Sequence, residues 1–177
     1  GLVTFLPGMK AHGEGGHVVN TSSMAGMIPV PGFAGIYAAT KFAVRGLTDS
    51  LRLSLAPHGI GVSVLCPGLT QTRAITAGEL YRRAHGGETI EEKRDPIEGG
   101  MGVTEIGEYV AAAIRRNEPY IFPHGEFREE VAQYFNEMLA AFPTDFEADP
   151  HRAAMEERRA KMTAEAKAMA DALGREG

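Results

Sequence analysis

Two hydrophobic patterns alternate along the chain. In five stretches, apolar residues recur every three or four positions, which predicts helices. These stretches are residues 1–12, 36–56, 104–116, 127–139 and 151–173, with Thr104 expected to cap the third. Between them lie three short runs rich in β-branched residues, which predict buried strands at residues 17–22, 60–65 and 120–122. This alternation favours an α/β fold in which helices cover both faces of a parallel sheet.

Two segments interrupt the alternation. Residues 69–102 are polar, contain several glycines and show little periodicity apart from a short helix predicted near residues 77–84. A loop of this length in a compact domain is usually functional or disordered. Residues 143–150 begin and end with proline and predict a linker before the last helix, which is charged and rich in alanine.

Composition and charge narrow the class of protein. The chain has 177 residues, of which 44% are hydrophobic and 23% charged, so collagen-like, disordered and membrane-spanning chains are excluded. The net charge of −5 gives no basic surface for nucleic acid or for an anionic membrane. A single cysteine, Cys66, cannot form an internal disulfide, which fits the cytoplasm as the expected location. The chain starts without methionine and inside a helical pattern, so we expect a fragment of a longer protein.

Candidate chemistry is concentrated around the first predicted strand and the helix that follows it. Ser22 and Ser23 come at the end of the strand, and Tyr37 and Lys41 are four residues apart, so they share one helical face. An ammonium group stabilises a neighbouring phenolate, which allows a tyrosine to act as a general acid or base near neutral pH. In an open α/β sheet, ligands bind beyond the carboxyl ends of the strands, where these residues fall. On spacing alone, a half-buried tyrosine beside a solvated lysine remains the simpler interpretation.

Other residue types point away from catalysis. The six histidines are scattered without the spacing of a zinc site, so we expect surface or loop positions and no metal. Cys66 ends a predicted strand and has no second cysteine, so it is expected to be a small buried apolar residue rather than a reactive thiol. The chain contains no Gly-x-Ser-x-Gly sequence, which argues against a hydrolase nucleophile.

Three motifs occur in a set order. They are Asn20-Thr21-Ser22-Ser23-Met24-Ala25-Gly26, Tyr37-Ala38-Ala39-Thr40-Lys41 and Cys66-Pro67-Gly68-Leu69-Thr70-Gln71-Thr72. With these motifs at the expected places in the helix–strand alternation, residues 1–125 resemble the C-terminal half of a short-chain dehydrogenase/reductase. The resemblance implies half of a Rossmann-like, doubly wound, dinucleotide-binding domain over residues 1–142, with a substrate lid at residues 69–102. Residues 143–177 would form a linker and a charged C-terminal helix.

The resemblance also implies catalytic roles for individual residues. Tyr37 would be the acid/base, and Lys41 would be its electrostatic partner and a ligand of the nicotinamide ribose. Ser23 would hold the substrate oxygen. Ser22 is the alternative serine, because the gap from Ser23 to Tyr37 is one residue longer than is commonest in the family. Asn20 would have a structural role in the strand.

The cofactor site implied by the resemblance is only partly contained in this chain. Tyr37 and Lys41 would contact the nicotinamide end of NAD or NADP, and Pro67, Gly68, Thr70 and Thr72 would line it, with Thr70 contacting it through the backbone. The family's glycine-rich phosphate loop, its NAD- or NADP-selecting residue and its relay asparagine are expected before Gly1. Because the chain contains no Gly-x-Gly-x-x-Gly sequence, we expect it to be inactive by itself.

The predicted function is therefore reversible hydride transfer between NAD(P) and a small alcohol or carbonyl substrate, carried out by the full-length protein. The alternative is a truncated, non-catalytic fragment or pseudoenzyme that acts as a binding or assembly module. The resemblance implies a homodimer or homotetramer in which the helix at residues 36–56 contacts a second subunit. Met155, Met162 and Met169 form a stripe on the last helix, which would pack on its own domain or on another subunit.

Overall fold

The computed structural model describes residues 1–31, 35–72 and 99–174. The helices are α1 (Leu2–His12), α2 (Gly35–Leu55), α3 (Val103–Arg116), α4 (Arg128–Ala140) and α5 (Pro150–Ala172), and the strands are β1 (Gly16–Thr21), β2 (Ile60–Leu65) and β3 (Tyr120–Ile121). Short 3-10 turns lie at Met24–Gly26, Ala56–His58 and Gly125–Phe127. The predicted order of helices and strands is confirmed within these ranges. The helix predicted near residues 77–84 and most of the segment 69–102 lie outside the described residues.

Strand β2 lies in the middle of a three-stranded parallel sheet with the order β1-β2-β3. It pairs with β1 from Gly16 opposite Ile60 to Thr21 opposite Leu65, and with β3 at Val64 and Leu65. Every residue of β2 is buried, as expected for the middle strand of a parallel sheet with helices on both faces. The predicted α/β fold class, a Rossmann-like parallel sheet, is confirmed.

Successive side chains of β2 point to opposite faces of the sheet, and helices cover both faces. Ile60 and Val62 point to one face, where they pack in a cluster with residues of α1 and α2 that includes Leu55. Leu65 lies on the opposite face, in a second cluster with α3 and β3 that includes Ile106. Because the three strands are parallel, their carboxyl ends lie at a common edge of the sheet.

The turn that leads from α2 into β2 requires glycine. Gly59 has a φ of 67°, in the left-handed region that side chains disfavour. A Cβ atom on Gly15 would lie 2.7 Å from the carbonyl oxygen of Gly59. The turns that precede β1 and β2 therefore touch backbone to backbone, which places the starts of the two strands side by side.

The starts of two helices differ from the prediction. Gly102 is the N-cap of α3 and makes no side-chain hydrogen bond, so the expected cap by Thr104 is wrong: this residue lies inside the first turn. Asp149 caps α5 by accepting a hydrogen bond from the Arg152 amide at 2.9 Å, and Pro150 is the first helical residue rather than the end of the linker. Proline suits that position because the first amides of a helix have no partner inside the helix.

Buried Arg52 of α2 holds the C-terminal end of α5 on the domain. Its guanidinium donates to the carbonyl oxygens of Val62 and Asn117 at 3.1 Å each and to the Asp171 carboxylate at 3.2 Å. The Asn117 side-chain amide donates to the carbonyl oxygen of Ala170 at 2.7 Å. One cation thus links α2, β2, the residue after α3 and the last turns of α5.

The methionine stripe predicted on the last helix does not make this contact. Met155, Met162 and Met169 are 62%, 63% and 47% exposed, whereas Ala170 is 1% exposed. Helix α5 therefore packs on its own domain through the small side chains of its last turns. Neither α5 nor any other helix within the described ranges is long and apolar enough to cross a membrane.

His17 of β1 gives the fold a testable dependence on pH. Burial lowers the pKa of His17 from its ordinary value of 6.5, and the Arg52 guanidinium lowers it further. Its Nε2 atom lies 2.7 Å from the hydroxyl oxygen of Ser63. Because the unfolded chain binds this proton more readily than the folded chain, the free energy of unfolding should decrease as the pH falls below about 6.5.

Replacing His17 with glutamine should make this pH dependence shallower. Urea unfolding at about pH 7.5 and about pH 5 measures the change in the free energy of unfolding. His151→Gln, at an exposed position of α5, is the matched control and should keep the wild-type dependence. An unchanged dependence in His17→Gln would contradict the prediction.

Candidate active site

Ser22 joins the end of β1 to the start of α2. It is 2% exposed, and its hydroxyl donates to the backbone carbonyl of Lys41 at 2.8 Å. The 3-10 turn that follows packs directly on the same carbonyl, because a Cβ atom on Gly26 would lie 2.8 Å from the Lys41 oxygen. The Ser22 hydroxyl is thus fully engaged in fastening the turn to α2.

Ser23 is placed differently, at the N-cap of the Met24–Gly26 turn. Its oxygen accepts a hydrogen bond from the Ala25 amide at 3.2 Å, and its hydroxyl lies 3.5 Å from the carbonyl oxygen of Pro67. The side chain is only partly buried. Ser23 therefore sits at the carboxyl edge of the sheet with a hydroxyl that is held by the backbone and within reach of a ligand.

Tyr37 and Lys41 lie in the first turns of α2, on the side that faces this edge. The Lys41 ammonium is 5.5 Å from the centroid of the Tyr37 ring and donates to the carbonyl oxygen of Thr21 at 3.3 Å. Thr21 is the last residue of β1, so the ammonium lies beyond the carboxyl end of that strand. Tyr37 is 50% exposed. The structure thus brings the predicted tyrosine–lysine pair to the end of the strand that leads into Ser23.

The Pro67–Gly68 segment lies next to the Ser23 turn. The Met24 amide donates to the carbonyl oxygen of Pro67 at 3.0 Å, which ties the residues after β2 to those after β1. The Thr70 hydroxyl donates back to the carbonyl oxygen of Gly68 at 3.2 Å, and the Thr72 amide donates to the carbonyl oxygen of Thr70 at 2.9 Å. Thr70 therefore uses its side chain inside the loop.

His124 is a site residue that the sequence analysis missed. It is 5% exposed, and both of its ring nitrogens face the backbone of the segment after β2. His124 lies in the loop after β3, as the expectation of surface or loop positions allows, but that expectation is wrong for His17, which is partly buried in the sheet. No local signal marks His124, because its partners Gly68 and Leu69 are far away in the sequence.

Cys66 behaves as predicted. It is 0% exposed and packs in a cluster with Met24, Met27, Ile28 and Val64. Burial raises the pKa of its thiol to about 11, so the thiolate form that would react is disfavoured. Cys66 therefore acts as an apolar residue that packs against Met24, the residue after Ser23.

A cavity of about 360 Å³ lies at the same edge of the sheet. Its walls include Met24, Phe122, Phe127 and Val131, with His124 and Arg128 as polar members. Met24 directly follows Ser23, so the cavity borders the candidate site. Its largely apolar lining suits an apolar part of a small organic ligand.

Taken together, these groups can carry out acid–base chemistry on a ligand oxygen. A half-exposed phenol beside an ammonium can exchange a proton with a ligand, and the Ser23 hydroxyl at the same edge of the sheet can donate a hydrogen bond. The ammonium has three N–H donors, and Thr21 accepts one of them. Lys41 can therefore also bind a hydroxyl-bearing ligand such as a ribose.

Comparisons with known proteins find similar sequences and folds. The family model described as short chain dehydrogenase matches residues 1–79. The chain is similar to the C alpha-dehydrogenase of Sphingobium sp. (strain SYK-6), with 31% identity over 160 residues that cover 86% of this chain and 52% of that protein.

Two solved structures are similar over most of the chain. A protein of the short-chain dehydrogenase type from Novosphingobium aromaticivorans is 38% identical, with a TM-score of 0.74, and the match covers 96% of this chain and 56% of that one. A short chain dehydrogenase/reductase from Burkholderia phymatum, solved in complex with NAD, is 30% identical, with a TM-score of 0.67 and coverage of 84% and 57%. The chain thus spans about half the length of these relatives.

Proposed function

Because the chain belongs to the short-chain dehydrogenase/reductase family, we propose that the protein is an NAD(P)-dependent oxidoreductase that transfers hydride reversibly between the cofactor and an alcohol or carbonyl substrate. One observation carries the proposal: the Lys41 ammonium lies beside the Tyr37 ring and donates to the carbonyl oxygen of Thr21, two residues before Ser23. The Pro67–Gly68 segment is hydrogen-bonded to the same turn. The NAD bound in the Burkholderia phymatum relative supports a nicotinamide cofactor.

In the proposed reaction, Tyr37 exchanges a proton with the substrate oxygen. When a carbonyl is reduced, negative charge develops on that oxygen, and the hydroxyls of Tyr37 and Ser23 stabilise it by donating hydrogen bonds. When an alcohol is oxidised, Tyr37 accepts the proton, and the Lys41 ammonium favours the phenolate that receives it. The bound nicotinamide would supply or accept the hydride.

Ser23 rather than Ser22 is proposed as the serine that binds substrate. The Ser22 hydroxyl is buried and donates to the carbonyl oxygen of Lys41, so a substrate oxygen would have to displace a bond that fixes the fold. The Ser23 oxygen is held by the Ala25 amide and lies in a partly exposed side chain. This arrangement fixes the position of the oxygen, and the long 3.5 Å hydrogen bond from the Ser23 hydroxyl to the Pro67 carbonyl oxygen can be replaced by one to a substrate oxygen.

The donors at this edge fit the nicotinamide end of the cofactor. The Lys41 ammonium suits the hydroxyls of the nicotinamide ribose, and the backbone of Pro67, Gly68, Thr70 and Thr72 would line the nicotinamide. Both NAD and NADP fit, because the two differ at the adenosine end. In the proposed protein, the phosphate loop at a helix N-terminus comes from the half of the domain that this chain does not span.

This division of the site predicts that the isolated chain and the full-length protein behave differently. The full-length protein should bind NAD or NADP in calorimetry. In an activity assay with a panel of alcohols and carbonyl compounds, it should oxidise or reduce some of them. The 177-residue chain alone should show no binding below about millimolar, since the pyrophosphate would have no anchor. Micromolar binding by the isolated chain would show that it is self-sufficient. Absence of binding by the full-length protein would favour the alternative, a non-catalytic binding module.

Replacing Lys41 with methionine in the full-length protein should weaken the binding of NAD or NADP measured by calorimetry. The change removes the ammonium proposed to bind the nicotinamide ribose, while methionine keeps most of the aliphatic chain. Lys10→Met on exposed α1 is the matched control and should keep the wild-type affinity. Unchanged cofactor affinity in Lys41→Met would reduce Lys41 to a solvated surface charge.

Two further parts of the proposal concern the substrate and the assembly. We propose that an apolar group of the substrate enters the cavity beside Met24. We also propose a homodimer or homotetramer that uses α2, on which Leu47 is 51% exposed. Sedimentation of the full-length protein tests the assembly, and a monomer at all concentrations would overturn it.

A further inference from the structure

The His124 ring bridges two backbone groups of the segment that follows β2. The Gly68 amide donates to Nδ1 at 3.1 Å, and Nε2 lies 2.9 Å from the carbonyl oxygen of Leu69. Because an amide can donate only to a nitrogen without a proton, Nδ1 is the acceptor and the ring proton is on Nε2, which donates to Leu69. The two bonds together specify one neutral tautomer and one ring orientation.

The same segment is packed too closely to take another position easily. A Cβ atom on Gly68 would lie 2.6 Å from Cε2 of Phe127 and 3.0 Å from Cγ of His124. The glycine therefore lets the backbone rest on the two rings. The Gly68 amide has its hydrogen bond with His124, whereas the Leu69 carbonyl also accepts one from the Met101 amide at 3.0 Å.

The opposite side of this segment contacts the candidate catalytic turn. The carbonyl oxygen of Pro67 accepts the Met24 amide at 3.0 Å and faces the Ser23 hydroxyl at 3.5 Å. His124 is thus connected to Ser23 through two consecutive backbone residues, Gly68 and Pro67. A shift of Gly68 would move both the proposed nicotinamide contact and the oxygen opposite Ser23.

We propose that His124 is a positioning residue that holds the Pro67–Leu69 backbone in the place required for cofactor binding and for the orientation of Ser23. The inference rests on the proposed function, since it assigns a role within that same site. His124 follows β3 and directly precedes the Gly125–Phe127 turn that leads into α4. The contact therefore transmits the position of the third strand to the loop after the second.

Three variants of the full-length protein separate positioning from simple stability. His124→Phe keeps an aromatic ring but removes both hydrogen bonds. His124→Asn places an amide oxygen near the position of Nδ1 and can accept from Gly68 again. His151→Phe, at an exposed position of α5, is the control. The readouts are hydrogen exchange of the Gly68 amide, the Kd for NADH and NADPH, kcat, and the Tm of each variant.

In His124→Phe, the Gly68 amide should exchange its hydrogen faster than in the wild type. The variant should bind the cofactor about 10- to 100-fold more weakly, since small misplacements in a site have effects of that size. His124→Asn should recover slow exchange and most of the affinity, and the control should match the wild type. Wild-type affinity in His124→Phe would overturn the inference. The inference would also be overturned if the phenylalanine and asparagine variants lost cofactor affinity equally and if this loss followed the decrease in their Tm. If the wild-type protein bound no nicotinamide cofactor, the proposed function itself would fail.

Discussion

Replacing Tyr37 with phenylalanine should lower kcat of the full-length protein by about 10²–10⁴-fold, the usual contribution of a general acid or base. The change removes one oxygen and its proton from a side chain that is already 50% exposed, so little packing is lost. Cofactor affinity and Tm should therefore stay close to those of the wild type, because the Lys41 ammonium and the Pro67–Gly68 backbone are untouched. Steady-state kinetics together with NADH or NADPH titration measure both effects.

Tyr109→Phe is the matched control for this experiment. Tyr109 lies on α3 and is 43% exposed, so the same atoms are removed from a similar environment outside the candidate site. It should retain the wild-type kcat. Turnover at the wild-type rate in Tyr37→Phe would remove the acid/base assignment, and an equal loss of turnover in both variants would attribute the effect to the fold rather than to Tyr37.

The fold could be predicted from local sequence because its main signals are local. The apolar run of β2 lies between Gly59, which adopts the left-handed conformation that ends the preceding turn, and Pro67, which cannot continue a ladder of amide hydrogen bonds. The tyrosine–lysine pair was equally accessible, since helical periodicity alone places Tyr37 and Lys41 on one face.

The contacts that the sequence did not reveal connect residues that are far apart along the chain. The prediction of a surface or loop position for His124 does not include its burial or the hydrogen bond that it accepts from the Gly68 amide. The cap of α3 was assigned to Thr104 from residue preference alone, but the helix begins at Val103 after Gly102. Burial and partner choice depend on which elements pack together, and that information is not contained in the spacing of residue types.

Arg52 illustrates the same point and leads to the largest effect expected on stability. An arginine in an amphipathic helix is usually solvated, yet Arg52 is 8% exposed. Acceptors from three other parts of the chain converge on its guanidinium: the carbonyl oxygen of Val62, the carbonyl and side-chain oxygens of Asn117, and the carboxylate of Asp171. A planar, permanently charged group with five N–H donors can satisfy such a set, whereas a lysine with its single charged tip cannot.

Arg52→Met should therefore lower the free energy of unfolding by on the order of 3 kcal/mol, because each buried acceptor left without a donor costs about 1–3 kcal/mol. Methionine keeps much of the apolar stem, so the loss measures the hydrogen bonds rather than the packing. Asp171→Asn should have a smaller effect, since the Asp171 side chain is 36% exposed and exposed ion pairs contribute about 0–1 kcal/mol.

Urea unfolding at neutral pH gives these free energies, and hydrogen exchange of the α5 amides shows whether the helix detaches. Arg158→Met on the exposed part of α5 is the matched control and should change the free energy of unfolding by less than about 0.5 kcal/mol. In Arg52→Met, faster exchange confined to the last turns of α5 would show that the guanidinium fastens this helix to α2. A free energy of unfolding equal to that of the control would mean that Arg52 and Asn117 meet in the fold without stabilising it.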